Sequence, residues 1–113
     1  MKVNVKYKDK KIIDGALVAD SFIPKLTGYM FRKSPHVPAI IFEPCNSIQT
    51  TFMRFDLDLV FMDRENRVVK VIRNLRPWRF TAFYFKAKKT LELPVGHLPP
   101  ELQAGDVLEV TIV

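Results

Sequence analysis

Apolar residues recur at every second position along most of this chain, which is what half-buried β-strands require, because successive strand side chains point to opposite faces. Val3, Val5 and Tyr7 alternate with Asn4 and Lys6 and predict a first strand. Lys8 to Lys11 then make a charged turn, and Ile12 to Ala19 read as a second strand. Ala39 to Phe42 is a short apolar run between prolines, the pattern of a buried strand. Thr51 to Phe55 and Leu57 to Asp63 are rich in aromatic and branched residues. The latter pairs with Arg67 to Ile72 as a hairpin, with Asn66 in the left-handed conformation. Phe80 to Lys86, Thr90 to Leu93 and Val107 to Val113 complete the set, and Pro94 ends the second of these.

Two segments carry helical signals instead. Asp20-Ser21, followed by Phe22, Ile23 and Leu26 with Gly28 behind, has a polar cap at one end and a glycine stop at the other. Gly96 to Gln103 places Leu98 and Leu102 four apart, enough for one helical turn. The expected fold class is therefore mainly β (β-rich α+β). Its simplest form is a small barrel-like domain of about eight short strands with one or two short helices, since closure leaves few exposed edges.

A chain of 113 residues with 48% apolar content and nine Phe predicts a single domain over residues 1–113, with a core that needs no staples. Cys45 is the only cysteine, which excludes an internal disulfide and any multi-cysteine zinc or iron–sulfur site. The opening Met1-Lys2-Val3-Asn4-Val5-Lys6 lacks the apolar run of a signal peptide. No stretch approaches the roughly 18 to 20 apolar residues of a spanning helix. The expectation is a cytoplasmic protein without a membrane span.

Charge is unevenly placed. The net +6 gathers at Lys2, Lys6, Lys8, Lys10 and Lys11, and again from Asn66 to Leu91, where Arg67, Lys70, Arg73, Arg76, Arg79, Lys86, Lys88 and Lys89 meet no acid. Such a face suits an anionic partner, and it equally suits a solvated surface that keeps a small domain in solution, the commoner outcome.

Five ordered segments resemble the domain of unknown function 192 family, also called uncharacterised protein family 0127. They are Gly28-Tyr29-Met30-Phe31-Arg32; Ser47-Ile48-Gln49-Thr50-Thr51-Phe52-Met53-Arg54-Phe55 with Leu57-Asp58-Leu59-Val60-Phe61-Met62-Asp63; Leu75-Arg76-Pro77-Trp78-Arg79; Leu91-Glu92-Leu93-Pro94-Val95-Gly96; and Gly105-Asp106. The motifs span about residues 17–110. Tyr29 stands where the family pattern usually has Leu, Asp56 where Pro is usual, and Val95 where a smaller residue is common. The resemblance implies a β-rich, barrel-like domain and brings no established activity, cofactor or catalytic residue. In many relatives the domain follows an export signal.

Four charges interrupt apolar strands or strand ends: Arg32, Arg54, Asp58 and Glu92. Alternation alone can turn each of them to solvent. If they point inward they must pair, because a lone buried ion costs several kcal/mol, and two Arg with two acids balance. Such a cluster is either a structural tie or the floor of a ligand or partner cleft. Asp58 and Glu92 are also the best candidates for a paired catalytic acid and base, since an apolar setting raises a carboxyl pKa toward neutrality. Cys45 has no oriented histidine, and the serines Ser21, Ser34 and Ser47 lack a nucleophile elbow. His36 and His97 need distant loops to converge before they could hold a metal, so no metal site is assigned.

The four glycines are too dispersed for a phosphate loop, so no cofactor is implied. Arg73, Arg76, Trp78 and Arg79, with Phe80, Phe83, Tyr84 and Phe85, mix cations with stacking surfaces as single-strand nucleic-acid binders do. The blander reading, which ranks above it, makes those aromatics the inward face of a strand. Trp78 is decisive, because an exposed Trp among arginines is an interaction hot spot. The sequence thus favours a small non-catalytic binding or interaction module, with an unidentified protein or anionic partner. A nucleic-acid or anionic-polymer binder through residues 73–89 comes second, and a small hydrolase-like enzyme around Asp58 and Glu92 third.

Overall fold

The computed structural model describes residues 1–19 and 28–113. Among them the backbone forms β1 (Lys2–Tyr7), β2 (Lys10–Ala19), β3 (Ile40–Phe42), β4 (Leu57–Met62), β5 (Val68–Leu75), β6 (Lys89–Pro94) and β7 (Glu109–Ile112). The predicted helix between Asp20 and Gly28 falls largely on residues 20–27, outside the described residues. No helix among the described residues is long and apolar enough to cross a membrane.

All seven strands join one sheet in the order β5-β4-β6-β3-β2-β1-β7. Every pairing is antiparallel except β2 with β3. The expected barrel does not form. β5 and β7 are separate edges that meet at one end only, through the bridge Arg67↔Val107 and the Val68 N–H donating to the Asp106 carbonyl at 2.7 Å. Asn66 turns the β4–β5 hairpin at φ 66°, as its residue type predicts.

Alternation produces two cores, one on each face of the sheet. Val3, Val5, Tyr7, Ile13, Ile41, Val60, Met62, Leu91 and Leu93 pack together on one side, closed by Leu98, Leu102 and Leu108. Ile40, Phe42, Leu57, Leu59 and Phe61 lie on the other side with Ala19, under Tyr29, Met53 and Ala87. The central strands are therefore covered on both faces, which explains why Leu57–Met62 reads as a nearly continuous apolar run.

Three predicted elements are replaced by loops. Thr51 to Phe55 does not form a strand, because Phe52 turns the backbone to φ 63°. From Phe80 to Lys86 the only pairing is the isolated bridge of Phe80 to Gln49, and the Ala87 N–H closes a turn on the Tyr84 carbonyl at 2.8 Å. Residues 96–103 form turns rather than a helix, because Pro99 and Pro100 have no amide hydrogens to donate. Leu98 and Leu102 are still buried there. The loops spanning 43–56 and 76–88 supply Met53 and Ala87 to the second core.

Candidate functional site

The four embedded charges part company. Asp58 and Glu92 are buried at 3% and 5% exposure, whereas Arg32 and Arg54 lie on the surface. The charge-balanced cluster expected from the sequence is not what buries the acids. Asp58 sits opposite Leu93 across the β4–β6 ladder, and Glu92 opposite Leu59. Because directly opposed residues share a face and neighbours alternate, the two carboxyls point to opposite sides of the sheet. They form no acid–base pair in one cleft.

Asp58 has a local task. Its Oδ1 accepts the backbone N–H of Asn74 at 2.9 Å, where the β4–β5 register shifts between Leu57 and Leu59 and Asn74 turns to φ 58°. A ladder irregularity leaves an amide without its strand partner, and the carboxylate satisfies it.

Glu92 is placed differently. It occupies the row Ile40–Glu92–Leu59 on the second face, between two fully buried aliphatic residues. Burial pushes its carboxyl up to about 8, so at neutral pH the group carries a proton and needs no arginine. It lines a cleft of about 150 Å³ whose other described walls include Gly28, Tyr29, Met30, Cys45, Gln49 and Met53. Gly28 presses close, at φ +45°, where an added Cβ would meet Phe42 Cζ at 3.0 Å. Tyr29 is fully buried, donates its hydroxyl to the Val37 carbonyl at 2.9 Å, and meets Phe55 edge to face at 5.3 Å. Burial, and next the nearby Glu92, raise the Tyr29 hydroxyl above its ordinary range. The Cys45 thiol donates to the Ser47 carbonyl at 3.2 Å.

Beside this cleft three aromatic rings stand in solvent. Phe31, Phe52 and Trp78 are 62%, 46% and 57% exposed. Phe31 stacks on Phe52 at 4.8 Å between centroids, and Phe52 meets Trp78 edge-on at the same distance. All three backbones are left-handed, at φ 65°, 63° and 63°. That conformation costs an L-residue roughly 1–2 kcal/mol. Buried Thr50 holds it: its carbonyl accepts the Trp78 N–H at 3.0 Å, its hydroxyl donates to the Arg76 carbonyl at 2.7 Å and accepts the Arg79 N–H at 2.9 Å. The Phe31 N–H donates to the Phe52 carbonyl at 3.0 Å and ties the first ring to the second. Arg32, Arg54, Arg76 and Arg79 are exposed and adjoin these rings in sequence.

The basic-aromatic segment is thus partly redrawn. Trp78 is exposed with Arg76 and Arg79 close in the chain, but Arg73 belongs elsewhere: its Nη2 donates to the Pro99 carbonyl at 2.8 Å and fastens β5 to the 99–102 turn. Phe80, Phe83 and Phe85 are exposed rather than the inward face of a strand, and only Tyr84 turns in, against Phe61 at 4.7 Å. Phe31 and Phe52 escaped the sequence reading. The signal for them is an aromatic followed within two residues by arginine, repeated at Phe31-Arg32, Phe52-Met53-Arg54 and Trp78-Arg79.

Fold and site together define a one-sheet β domain that presents strained aromatic rings among arginines on its loop-covered face. The chain belongs to the family described as Uncharacterized ACR, domain of unknown function 192, whose model matches residues 3–110. It is 34% identical to a UPF0127 protein of Pyrococcus furiosus over 108 residues, covering 90% of this chain and 91% of the relative. A UPF0127 protein of Pyrococcus abyssi is 34% identical over 97 residues, covering 81% and 82%. Among solved structures, a protein of unknown function from Novosphingobium aromaticivorans superposes with TM-score 0.78 at 19% identity, over 96% of this chain and 84% of the other. A candidate transcription regulator from Sinorhizobium meliloti also gives 0.78, at 17% identity, over 96% and 92%. At those identities the likeness is one of fold.

Proposed function

We propose that the protein is a non-catalytic binding module whose recognition surface is the Phe31–Phe52–Trp78 cluster with its arginines Arg32, Arg54, Arg76 and Arg79. The observation that carries this reading is that three exposed rings all hold a costly left-handed backbone and touch one another. Strain of that kind persists where the surrounding structure imposes it, and it gathers at ligand-contacting positions. Large rings beside arginines are also the side chains that dominate binding energy at interfaces. The net charge of +6 favours an anionic partner.

Single-stranded nucleic acid is the partner that a second observation favours. Phe80, Phe83 and Phe85 are exposed as well, and Phe83 lies parallel to Phe85 within 13° at 6.2 Å. Stacking contributes about 1–3 kcal/mol per base, and cations hold the backbone. The test is fluorescence polarisation of a labelled oligo(dC) across salt concentrations. Binding at about 50 mM salt that weakens steeply as salt rises, and that falls at least about tenfold in Trp78→Ala, supports the reading. Absence of binding at that salt removes nucleic acid as the partner and leaves an acidic protein as the alternative.

A further inference from the structure

The loops that carry the exposed rings also wall the Glu92 cleft. Gly28, Tyr29 and Met30 border it, and the next residue is Phe31; Gln49 and Met53 border it, and between them stand Thr50 and Phe52. Phe31 and Phe52 thus each stand one residue along the chain from a wall of the cleft, so a partner laid across the rings lies close to it. We infer that this cleft is the specificity pocket of the aromatic face, and that Glu92 on its floor pairs with one planar donor–acceptor edge of the partner, such as a carboxamide or a nucleobase presents. The inference rests on the reading of that face as a binding surface.

Three features limit what can enter. The volume of about 150 Å³ is well below the roughly 300–1,000 Å³ of pockets that enclose whole small molecules, so it admits one ring or one side chain. Met30, Ile48 and Met53 give apolar walls, and no cationic side chain is among the described lining, so phosphates stay outside with the arginines. A protonated carboxyl offers an O–H donor beside a carbonyl acceptor, the complement of an edge that carries an acceptor next to an N–H. Burial keeps that proton in place at neutral pH. Tyr29 and Cys45 are the other titratable side chains described around the cleft; the Tyr29 hydroxyl already donates to the Val37 carbonyl and the Cys45 thiol to the Ser47 carbonyl. Of the other polar side chains in the described lining, Gln49 already has its carboxamide oxygen accepting the Thr51 N–H at 2.8 Å, so Glu92 is the titratable group that can meet the entering edge with a paired donor and acceptor.

Two probes test this on the full chain. Oligo(dC) is titrated against wild type, Glu92→Gln and Glu92→Leu between about pH 7 and 9, a window in which cytosine itself does not titrate. With circular dichroism confirming that the chain is folded at each pH used, wild type should bind about tenfold more weakly at pH 9 than at pH 7, as the carboxyl ionises near 8. Glu92→Gln keeps an N–H and a carbonyl and should be flat with pH, and Glu92→Leu should be weak throughout. Acetamide, which has the edge but no phosphate, is titrated against protein labelled with ¹³C at the glutamate carboxyls, and should move the Glu92 signal. A pH profile shared by wild type and Glu92→Gln, or a Glu92 carboxyl indifferent to acetamide, overturns the inference. If acetamide moves Glu92 while oligo(dC) fails to bind at any pH, the pocket stands and the nucleic-acid reading falls.

Discussion

Replacing Glu92 with Gln should change how stability depends on pH, by an amount that follows from the carboxyl's position. Unfolded, the group ionises near its ordinary 4.5; folded, burial between Ile40 and Leu59 lifts it to about 8. Between those values the folded chain holds a proton that the unfolded chain has released, so raising the pH favours unfolding. The slope is about 1.4 kcal/mol per pH unit, and across the window the loss reaches on the order of 5 kcal/mol, comparable with the total stability of a small domain. Above about pH 8 the curve flattens again. Glu92→Gln removes the titration and nearly preserves the shape. Urea unfolding at steps from about pH 5 to 9 should show wild type losing stability through that range, with the variant's loss smaller by nearly the whole amount. Parallel curves for the two proteins would refute the claim that Glu92 is buried and protonated at neutral pH.

Other substitutions separate binding from stability. Trp78→Gly and Phe52→Gly relieve left-handed strain of roughly 1–2 kcal/mol while losing ring contacts of about 0.5–1.5 kcal/mol. Melting temperatures should therefore stay near wild type, while oligonucleotide polarisation shows at least a tenfold loss of affinity. Gly28→Ala forces a Cβ to within 3.0 Å of Phe42 Cζ at φ +45°, and denaturant unfolding should register a loss of about 1–3 kcal/mol. Unchanged stability there would mean the Gly28 turn is not pressed onto the sheet. Asp58→Ala leaves the Asn74 amide without its acceptor and should cost about 1–3 kcal/mol, whereas Asp58→Asn, which keeps an acceptor oxygen, should recover much of it in the same assay.

Where alternation meets a sheet with a core on each face, the sequence speaks plainly. Val3, Val5 and Tyr7, and the hairpin around Asn66, could be read residue by residue because each position has one structural demand. The 51–55 and 80–86 segments misled for a physical reason: their aromatic content has the composition of a strand, but Phe52 turns left-handed, and 80–86 is held by the Phe80–Gln49 bridge and by Thr81 and Tyr84 N–H groups donating to the Ile48 and Asn46 carbonyls of the facing loop. Closure into a barrel follows in the sequence from the need to leave few edges exposed, yet the ends of β5 and β7 meet at one bridge, a matter of twist and loop length that local spacing does not encode. Glu92 and Asp58 were recognisable as embedded acids. Their opposite faces follow from the β4–β6 register, which pairs residues more than thirty apart in the chain.

Trp78 is the single tryptophan of the chain and one of the three rings proposed as the binding surface, so its emission reports that surface alone. Titration with unlabelled oligo(dC) at low salt should quench or shift this emission, and added salt should restore it. An unchanged spectrum while the oligonucleotide binds would place the contact elsewhere on the protein and contradict the role assigned to Phe31, Phe52 and Trp78.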